Sequence, residues 1–252
     1  MSKNIEQLST NETKYMITGD SISKGVIYDE TRSKYIILED NYVSLLQNKL
    51  KGVVRNTARF GNTLFKGLNN LKKDVLKDRP DIVLIEYGGN DCDFHWNEIA
   101  EDPNAEHNPK TDFNLFEKML RETIDFLKSQ QITPVLMNLP PLNAENYFKW
   151  VSQNNPVSET NIMQWLGSVT KIYWWQERYN STIVKVAEST KTRIIDVRSA
   201  FLQHPDFTKF ICIDGIHPNK DGHQIISDKI LEFIRNNDFN TLLNSSNLAT
   251  DH

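Results

Sequence analysis

Near the start of the chain, a serine follows a short apolar segment and has the surroundings of a nucleophile. The glycine in Gly19-Asp20-Ser21 permits a tight turn, and a serine placed just after a strand presents its hydroxyl at the edge of a sheet. Serine also caps helices, so this position alone is compatible with a structural role for Ser21. Catalysis requires that partners for the serine exist elsewhere in the sequence.

A carboxylate and an imidazole near the end of the chain have the chemistry of such partners. Asp214 precedes His217 by three residues, and Pro218 stiffens the step after the histidine. A carboxylate at this spacing can accept from one ring nitrogen and leave the other facing a hydroxyl. The pair is typical of the orienting half of a serine triad, although an isolated Asp-x-x-His is more often structural.

Two more blocks follow predicted strands and contain hydrogen-bond donors. Gly61, in the block at residues 56–62, can bring a backbone N–H close to a ligand, and Asn90, in the block at residues 88–91, carries a neutral amide donor. Turn formation would explain either block by itself. A parallel sheet, however, would bring all four blocks to one edge, and this favours a common site.

The elements that would position these blocks alternate along the chain. Between the strands, apolar residues recur at helical spacing, as at Leu64, Leu68, Leu71 and Val75. The alternation predicts a parallel sheet covered on both faces, with ligands at the carboxyl ends of its strands. The five predicted strands are residues 14–18, 52–55, 81–87, 132–138 and 192–197.

Taken together in this order and spacing, the four blocks resemble those of the SGNH hydrolase family, also called GDSL esterases/lipases. The resemblance extends from Tyr15 to about Ile234. It implies an α/β fold, a three-layer α/β/α sandwich with a five-stranded, flavodoxin-like parallel sheet. It also implies hydrolysis of acyl esters with no metal or organic cofactor.

Site residues follow from the resemblance position by position. Ser21 would be the nucleophile, His217 its base and Asp214 the residue that orients His217. The oxyanion hole would consist of the backbone N–H groups of Ser21 and Gly61 and the side-chain amide of Asn90. The expected function is therefore a serine ester hydrolase that works through an acyl-enzyme. An acyltransferase with the same triad and a non-catalytic small-molecule-binding protein are the alternatives.

Composition disfavours several other classes of protein. The formal net charge of −4 disfavours a nucleic-acid-binding protein. The longest strongly apolar run, residues 82–85, is far shorter than the ~20 residues of a membrane-spanning helix. The polar N-terminus lacks the apolar stretch of a secretory signal, so a cytoplasmic protein without membrane partners is expected. Cys92 and Cys212 are expected to be reduced thiols, with a disulfide between them left open.

The chain is expected to form one domain. The hydrolase domain is predicted at residues 14–235, between a flexible N-terminal segment at 1–13 and a polar C-terminal tail at 236–252. Two connections, 91–111 and 140–169, exceed ordinary loops and are predicted walls of the substrate site.

The substrate expected from the sequence is a small ester with a short acyl group, of about acetyl to butyryl size. The two long connections are rich in polar residues and do not suggest an apolar lid. Tyr173 and Trp174 lie off the apolar stripe of their predicted helix and could stack on the sugar of an acetylated carbohydrate. The run Asp91, Asp93 and His95 leaves a metal site as a minor alternative.

Overall fold

The main sheet of the protein has five parallel strands, as the sequence predicts. The structure is a computed structural model, which describes residues 13–236. The strands are β1 (Lys14–Gly19), β4 (Val53–Asn56), β5 (Ile82–Glu86), β6 (Thr133–Met137) and β7 (Arg193–Ile195), in the spatial order β4-β1-β5-β6-β7. The carboxyl ends of β1 and β5 lie side by side, with Gly19 in register with Glu86.

Helices cover both faces of this sheet. They are α1 (Ser21–Lys24), α2 (Tyr42–Gln47), α3 (Leu64–Asp78), α4 (Trp96–Glu101), α5 (Phe113–Ser129), α6 (Ala144–Val151), α7 (Pro156–Leu166), α8 (Thr170–Thr190), α9 (Val197–Leu202) and α10 (Lys220–Asn236). A short 3₁₀ helix spans Phe207–Phe210. The predicted apolar stripe beginning at Leu64 is buried along α3.

The two faces of the sheet form separate apolar cores. On β1, Met16 packs into the core shared with α3, α5 and α8, whereas Tyr15 and Ile17 pack into the core shared with α2, α9 and α10. Successive side chains of a strand point to opposite faces, and here both faces are covered. The strands therefore read as nearly continuous apolar runs, and the predicted α/β/α sandwich is confirmed.

A hairpin that the sequence analysis did not assign follows α1. Its strands β2 (Val26–Asp29) and β3 (Lys34–Ile37) pair antiparallel and form a separate two-stranded sheet. Each strand is four residues long, and most of the hairpin's side chains are half-buried or exposed. Such short strands outside the main sheet give only a weak period-two signal.

The two long connections fold into a helical cap, which corrects the expectation that they carry no apolar surface. Trp96 and Ile99 of α4 and Ile162 and Leu166 of α7 turn inward and are buried in one cluster. Their spacings of three and four residues place each pair on one side of its helix. Polar residues on the opposite sides explain why the connections look hydrophilic in the sequence.

The predicted terminal segments, 1–13 and 236–252, lie outside the described residues except for Thr13 and Asn236. No helix between residues 13 and 236 is long and apolar enough to cross a membrane.

Candidate active site

Ser21 lies at the carboxyl edge of the sheet, at the first position of α1. β1 ends at Gly19, where a Cβ would lie 2.6 Å from the carbonyl oxygen of Glu86, so only glycine allows β1 and β5 to come this close. The Oδ1 atom of Asp20 accepts from the backbone N–H of Ile22 at 2.9 Å and caps α1. The tight turn thus fixes the direction of the Ser21 side chain.

The structure brings Asp214 and His217 to this serine. Nε2 of His217 lies 2.8 Å from Oγ of Ser21, and Nδ1 of His217 lies 2.6 Å from Oδ2 of Asp214. All three side chains are buried. Ser21 thus forms a continuous hydrogen-bonded line with two residues that lie far away in the sequence, the geometry in which an imidazole can take the proton of a hydroxyl.

The Asp214 carboxylate is held ionised by its surroundings. Burial by itself acts to raise the pKa of Asp214, but the hydrogen bond to His217, the charge of His217 and the backbone N–H groups of Ile216 and His217 together lower that pKa below its ordinary value. Both N–H groups bond Oδ1 at 3.1 Å. A fixed carboxylate supports the imidazolium that forms when His217 accepts a proton.

The helical cap contacts the loop that carries Asp214 and His217 and holds this loop in place. Gly215 has a φ of +82°, and a Cβ there would lie 2.4 Å from the backbone nitrogen of Tyr147 in α6. Only glycine fits this conformation and this close approach. The N–H of Asn143 also donates to the carbonyl of Gly215 at 2.8 Å, so α6 sets the position of the loop.

Of the three donors predicted for an oxyanion hole, Ser21 and Asn90 line a common cavity, and Gly61 does not line it. Within residues 13–236, no partner bonds the backbone N–H of Ser21 or of Gly61. Nδ2 of Asn90 donates to Oδ2 of Asp20 at 3.2 Å. An amide has two N–H groups, so this bond fixes the orientation of Asn90 and leaves the second N–H for a ligand. Gly61 follows Phe60, whose ring stacks on that of His217 at 6.3 Å between centroids.

A second buried carboxyl group, that of Glu86, lies next to Asp20. The sequence did not predict Glu86 as a site residue. Burial and the neighbouring charge of Asp20 raise the pKa of Glu86 well above its ordinary value, and burial also raises the pKa of Asp20. Oε2 of Glu86 accepts from Oγ of Ser23 at 2.8 Å. Two carboxyl groups buried side by side disfavour a state in which both are ionised.

A cavity of about 410 Å³ opens beside Ser21 and is mostly apolar. Trp165 and Trp175 form part of its wall, but Tyr173 and Trp174 do not, and Trp174 is 61% exposed in a different surface depression. The expectation that Tyr173 and Trp174 stack on a sugar at this site is therefore wrong. Both side chains project from sides of α8 that do not face the cavity. The principal lining residues are Asn90, Phe94, Trp96, Leu139, Leu142, Trp165, Leu166, Ile172, Trp175 and Ile216.

The acidic run after Asn90 has structural partners. Asp91 accepts from the N–H of Leu64 and from the hydroxyl of Thr111, while Asp93 accepts from Trp96. Across residues 13–236, no three His, Cys, Asp or Glu side chains group in a way that could hold a metal ion. Cys92 and Cys212 are both free and buried, which agrees with the expectation of reduced thiols.

Two aromatic residues lie beside His217, and no pattern in the sequence predicted them as part of the site. Tyr35 of β3 contacts the imidazole edge-on, with ring centroids 5.3 Å apart, and Phe60 stacks on it. Tyr35 belongs to the hairpin that was not predicted, and Phe60 lies in the second block without being one of its expected donors. Only contact in three dimensions relates these rings to His217.

Comparison with known proteins gives consistent results. The profile of the GDSL-like lipase/acylhydrolase family matches residues 17–225. A rice protein (Oryza sativa subsp. japonica), the GDSL esterase/lipase WDL1, is 21% identical over 219 residues, which cover 85% of this chain and 75% of the rice protein.

Solved structures share the fold. The lipase/acylhydrolase from Enterococcus faecalis superposes with a TM-score of 0.64 at 19% identity, covering 92% of this chain and 97% of the other. An acetylxylan esterase from Geobacillus stearothermophilus, solved as a catalytic mutant, gives a TM-score of 0.57 at 21% identity, covering 88% and 94% of the two chains. The family profile spans most of the sequence, and all four motif blocks fall inside it. The chain belongs to the GDSL-like lipase/acylhydrolase family, whose members hydrolyse carboxylic esters.

Proposed function

We propose that this chain hydrolyses small carboxylic esters with Ser21 as the nucleophile. The observation that carries the proposal is the hydrogen-bonded line from Ser21 through His217 to the buried Asp214, at the wall of an apolar cavity. A serine hydroxyl is a weak nucleophile at neutral pH unless a base removes its proton during attack. His217 is the base within reach of that hydroxyl.

The reaction proceeds in two halves. Oγ of Ser21 bonds to the ester carbonyl carbon while its proton passes to Nε2 of His217, and the carbonyl oxygen becomes an anion. The N–H groups of Ser21, Gly61 and Asn90 stabilise this anion, and its collapse expels the alcohol, which takes the proton from His217. Water then attacks the acyl-enzyme and gives a proton to His217. The bond between the acyl carbon and Oγ of Ser21 breaks, which releases the acid, and His217 returns the proton to Oγ.

An activated fluorophosphonate tests the nucleophile. We expect it to modify Ser21 alone, because a hydroxyl paired with a base reacts at neutral pH whereas ordinary serines do not. Mass spectrometry of the digested protein locates the adduct, and the Ser21→Ala variant serves as the control. An adduct on another serine, or none on the folded protein, would exclude Ser21 as the nucleophile and favour a binding protein.

The same acyl-enzyme would serve an acyltransferase, because water and a second alcohol compete for it. Product analysis with and without an added alcohol separates the two activities. We propose hydrolysis because the GDSL-like family is one of acylhydrolases.

The acyl group we propose extends beyond the short chains expected from the sequence. That expectation rested on polar connections without an apolar surface, whereas the cap supplies apolar side chains such as Trp96, Leu142 and Leu166 to the cavity. An acetyl group fits the cavity without filling it. Each buried CH₂ contributes about 0.8 kcal/mol, so an apolar acyl group of intermediate length gains binding energy that acetyl cannot.

A panel of p-nitrophenyl esters tests the acyl preference. We expect kcat/KM to rise about 10²-fold from acetate to octanoate as methylenes are buried in the cavity. Trp165→Ala should remove most of that rise, while Trp174→Ala, a matched change at an exposed residue outside the cavity, should preserve it. A kcat/KM that is highest for acetate and falls with chain length would instead support the short-chain substrate.

An acetylated sugar is the second candidate substrate. It is favoured by the fold shared with the acetylxylan esterase of Geobacillus stearothermophilus. Acetylated xylo-oligosaccharides added to the same panel decide between the two substrates, because a sugar ester would then exceed p-nitrophenyl acetate in kcat/KM.

A further inference from the structure

Four aromatic side chains form a group beside His217, which we call the aromatic flank: Tyr28, Tyr35, Phe60 and Trp150. Tyr28 and Tyr35 pair across the β2–β3 hairpin, with ring centroids 5.4 Å apart. Phe60 lies 5.5 Å from Tyr35, and Trp150 of α6 lies 4.6 Å from Tyr28. None of the four lines the apolar cavity beside the serine. The aromatic flank and the cavity are therefore separate regions that meet at the catalytic imidazole.

The loop that carries Phe60 is held against the nucleophile turn. The backbone N–H of Arg59 donates to the carbonyl of Gly19 at 3.2 Å, and Gly19 lies two residues before Ser21. The N–H of Asn62 donates to the carbonyl of Arg59 at 3.2 Å and closes the turn around Phe60. Main-chain hydrogen bonds thus fix where the Phe60 ring lies relative to Ser21.

The Phe60 ring is an exposed aromatic surface next to His217. Two rings of the aromatic flank contact the imidazole, that of Tyr35 at 5.3 Å and that of Phe60 at 6.3 Å between centroids. Tyr35 is half-buried, whereas Phe60 is 58% exposed. A single exposed apolar side chain is ordinary, but Phe60 belongs to a cluster of rings and lies beside the imidazole. It is therefore available to a ligand that reaches His217.

The chemistry of the proposed reaction places one part of the ester near this ring. When the tetrahedral intermediate collapses, His217 gives its proton to the alkoxy oxygen, so that oxygen must lie within hydrogen-bond reach of Nε2. With the acyl group in the apolar cavity, the alcohol part attached to that oxygen is directed out of the cavity and past the imidazole. Phe60 is the exposed aromatic ring that it meets there.

We propose that the aromatic flank binds the alcohol part of the ester through the exposed ring of Phe60, and that this alcohol part carries an aromatic ring. The inference rests on the proposed function, since it concerns the leaving-group side of the same site. An aromatic ring gains an offset-stacked or edge-to-face contact with Phe60 in addition to the burial of apolar surface. A methyl or ethyl group covers little of the Phe60 ring and gains neither.

Benzyl butyrate and ethyl butyrate test this inference with one acyl group. Their alcohols are leaving groups of similar strength, and both esters give the same butyryl-enzyme, so a difference in kcat/KM arises before the alcohol departs. We expect Phe60→Ala to lower kcat/KM for benzyl butyrate about 5- to 20-fold, as for loss of an aromatic contact and its buried area. The value for ethyl butyrate should stay within about twofold, and Phe60→Trp should preserve the preference for benzyl butyrate.

Two controls separate an aromatic contact from other effects. Phe65→Ala is the matched change, because Phe65 of α3 is 59% exposed and lies outside the aromatic flank, and it should retain wild-type values for both esters. Cyclohexylmethyl butyrate has a ring of similar size without a π face, so Phe60→Ala should lower its kcat/KM less than about threefold. The Tm of each variant verifies folding.

The rate of fluorophosphonate addition to Ser21 distinguishes failure of this inference from failure of the proposed function. In Phe60→Ala that rate should stay within about twofold, because fluoride and not an alcohol departs. Equal losses for benzyl and ethyl butyrate would mean that Phe60 supports the imidazole, and equal losses for benzyl and cyclohexylmethyl butyrate would mean that no aromatic contact forms. Either result, or an unchanged value for benzyl butyrate, would overturn the inference alone. If wild-type Ser21 did not react at all, the proposed function would fail and the inference with it.

Discussion

Ser21→Ala should lower kcat for ester hydrolysis by about 10⁴- to 10⁶-fold, because the acyl-enzyme then has no atom on which to form. His217→Ala should cause a loss of similar size, since no other base lies within hydrogen-bond distance of Oγ of Ser21 among residues 13–236. Asp214→Ala should cost less, because in the proposed mechanism Asp214 orients and supports the imidazole without itself exchanging a proton.

Combining the first two changes distinguishes a shared step from independent contributions. Ser21→Ala with His217→Ala should be hardly worse than either single variant, because residues that act as a unit are not additive. Steady-state kinetics with p-nitrophenyl butyrate measure the losses. Each variant is purified on a column that has never carried the wild-type protein, which excludes contamination by wild-type enzyme. Losses that multiply in the double variant would mean that Ser21 and His217 do not act in one step.

Asn90→Ala should lower kcat by about 10²- to 10³-fold and leave KM nearly unchanged. An oxyanion donor interacts mainly with the charge that develops in the transition state, so its loss raises the barrier without weakening ground-state binding. The amide of Asn90 is already oriented by Asp20, and alanine removes both the donor and this bond.

Asn114→Ala is a suitable control, because Asn114 is an exposed asparagine of α5 that does not line the cavity. It should retain wild-type kinetics. A rise in KM alone for Asn90→Ala would assign Asn90 to substrate binding. Thermal unfolding of Asn90→Ala is a necessary companion measurement, because the bond to Asp20 also supports the turn above Glu86.

The fold could be predicted from the sequence because its main strands and helices have strong patterns of apolar residues. Strands buried on both faces must be apolar at nearly every position, and helices on a sheet must carry an apolar stripe. These requirements act within a few residues, as in the run 82–85 and in the stripe from Leu64 to Val75. Parallel topology then places every strand's carboxyl end at one edge, and so the four motif blocks were expected to meet.

The hairpin and the cap were decided by tertiary packing. The strands of the hairpin are short and half-exposed, and their pairing gains stability from contacts with Trp150 and His217, which are distant in sequence. In the cap, Trp96 and Ile162 face inward because α4 packs against α7. The sequence of either helix by itself does not show which side is buried.

By itself, the sequence indicated which side chains could supply the proposed chemistry: a serine, an imidazole and a carboxylate in blocks that the strand order must gather at one edge. Only the tertiary structure decided what surrounds these three side chains. It placed the Tyr35 ring against His217, Glu86 beneath Asp20, and an apolar cavity where polar connections had been expected. The physical reason is the range of the interactions. Backbone periodicity and turn geometry are local and leave a pattern in the sequence, whereas the enclosure of a site depends on which surfaces of distant segments come into contact.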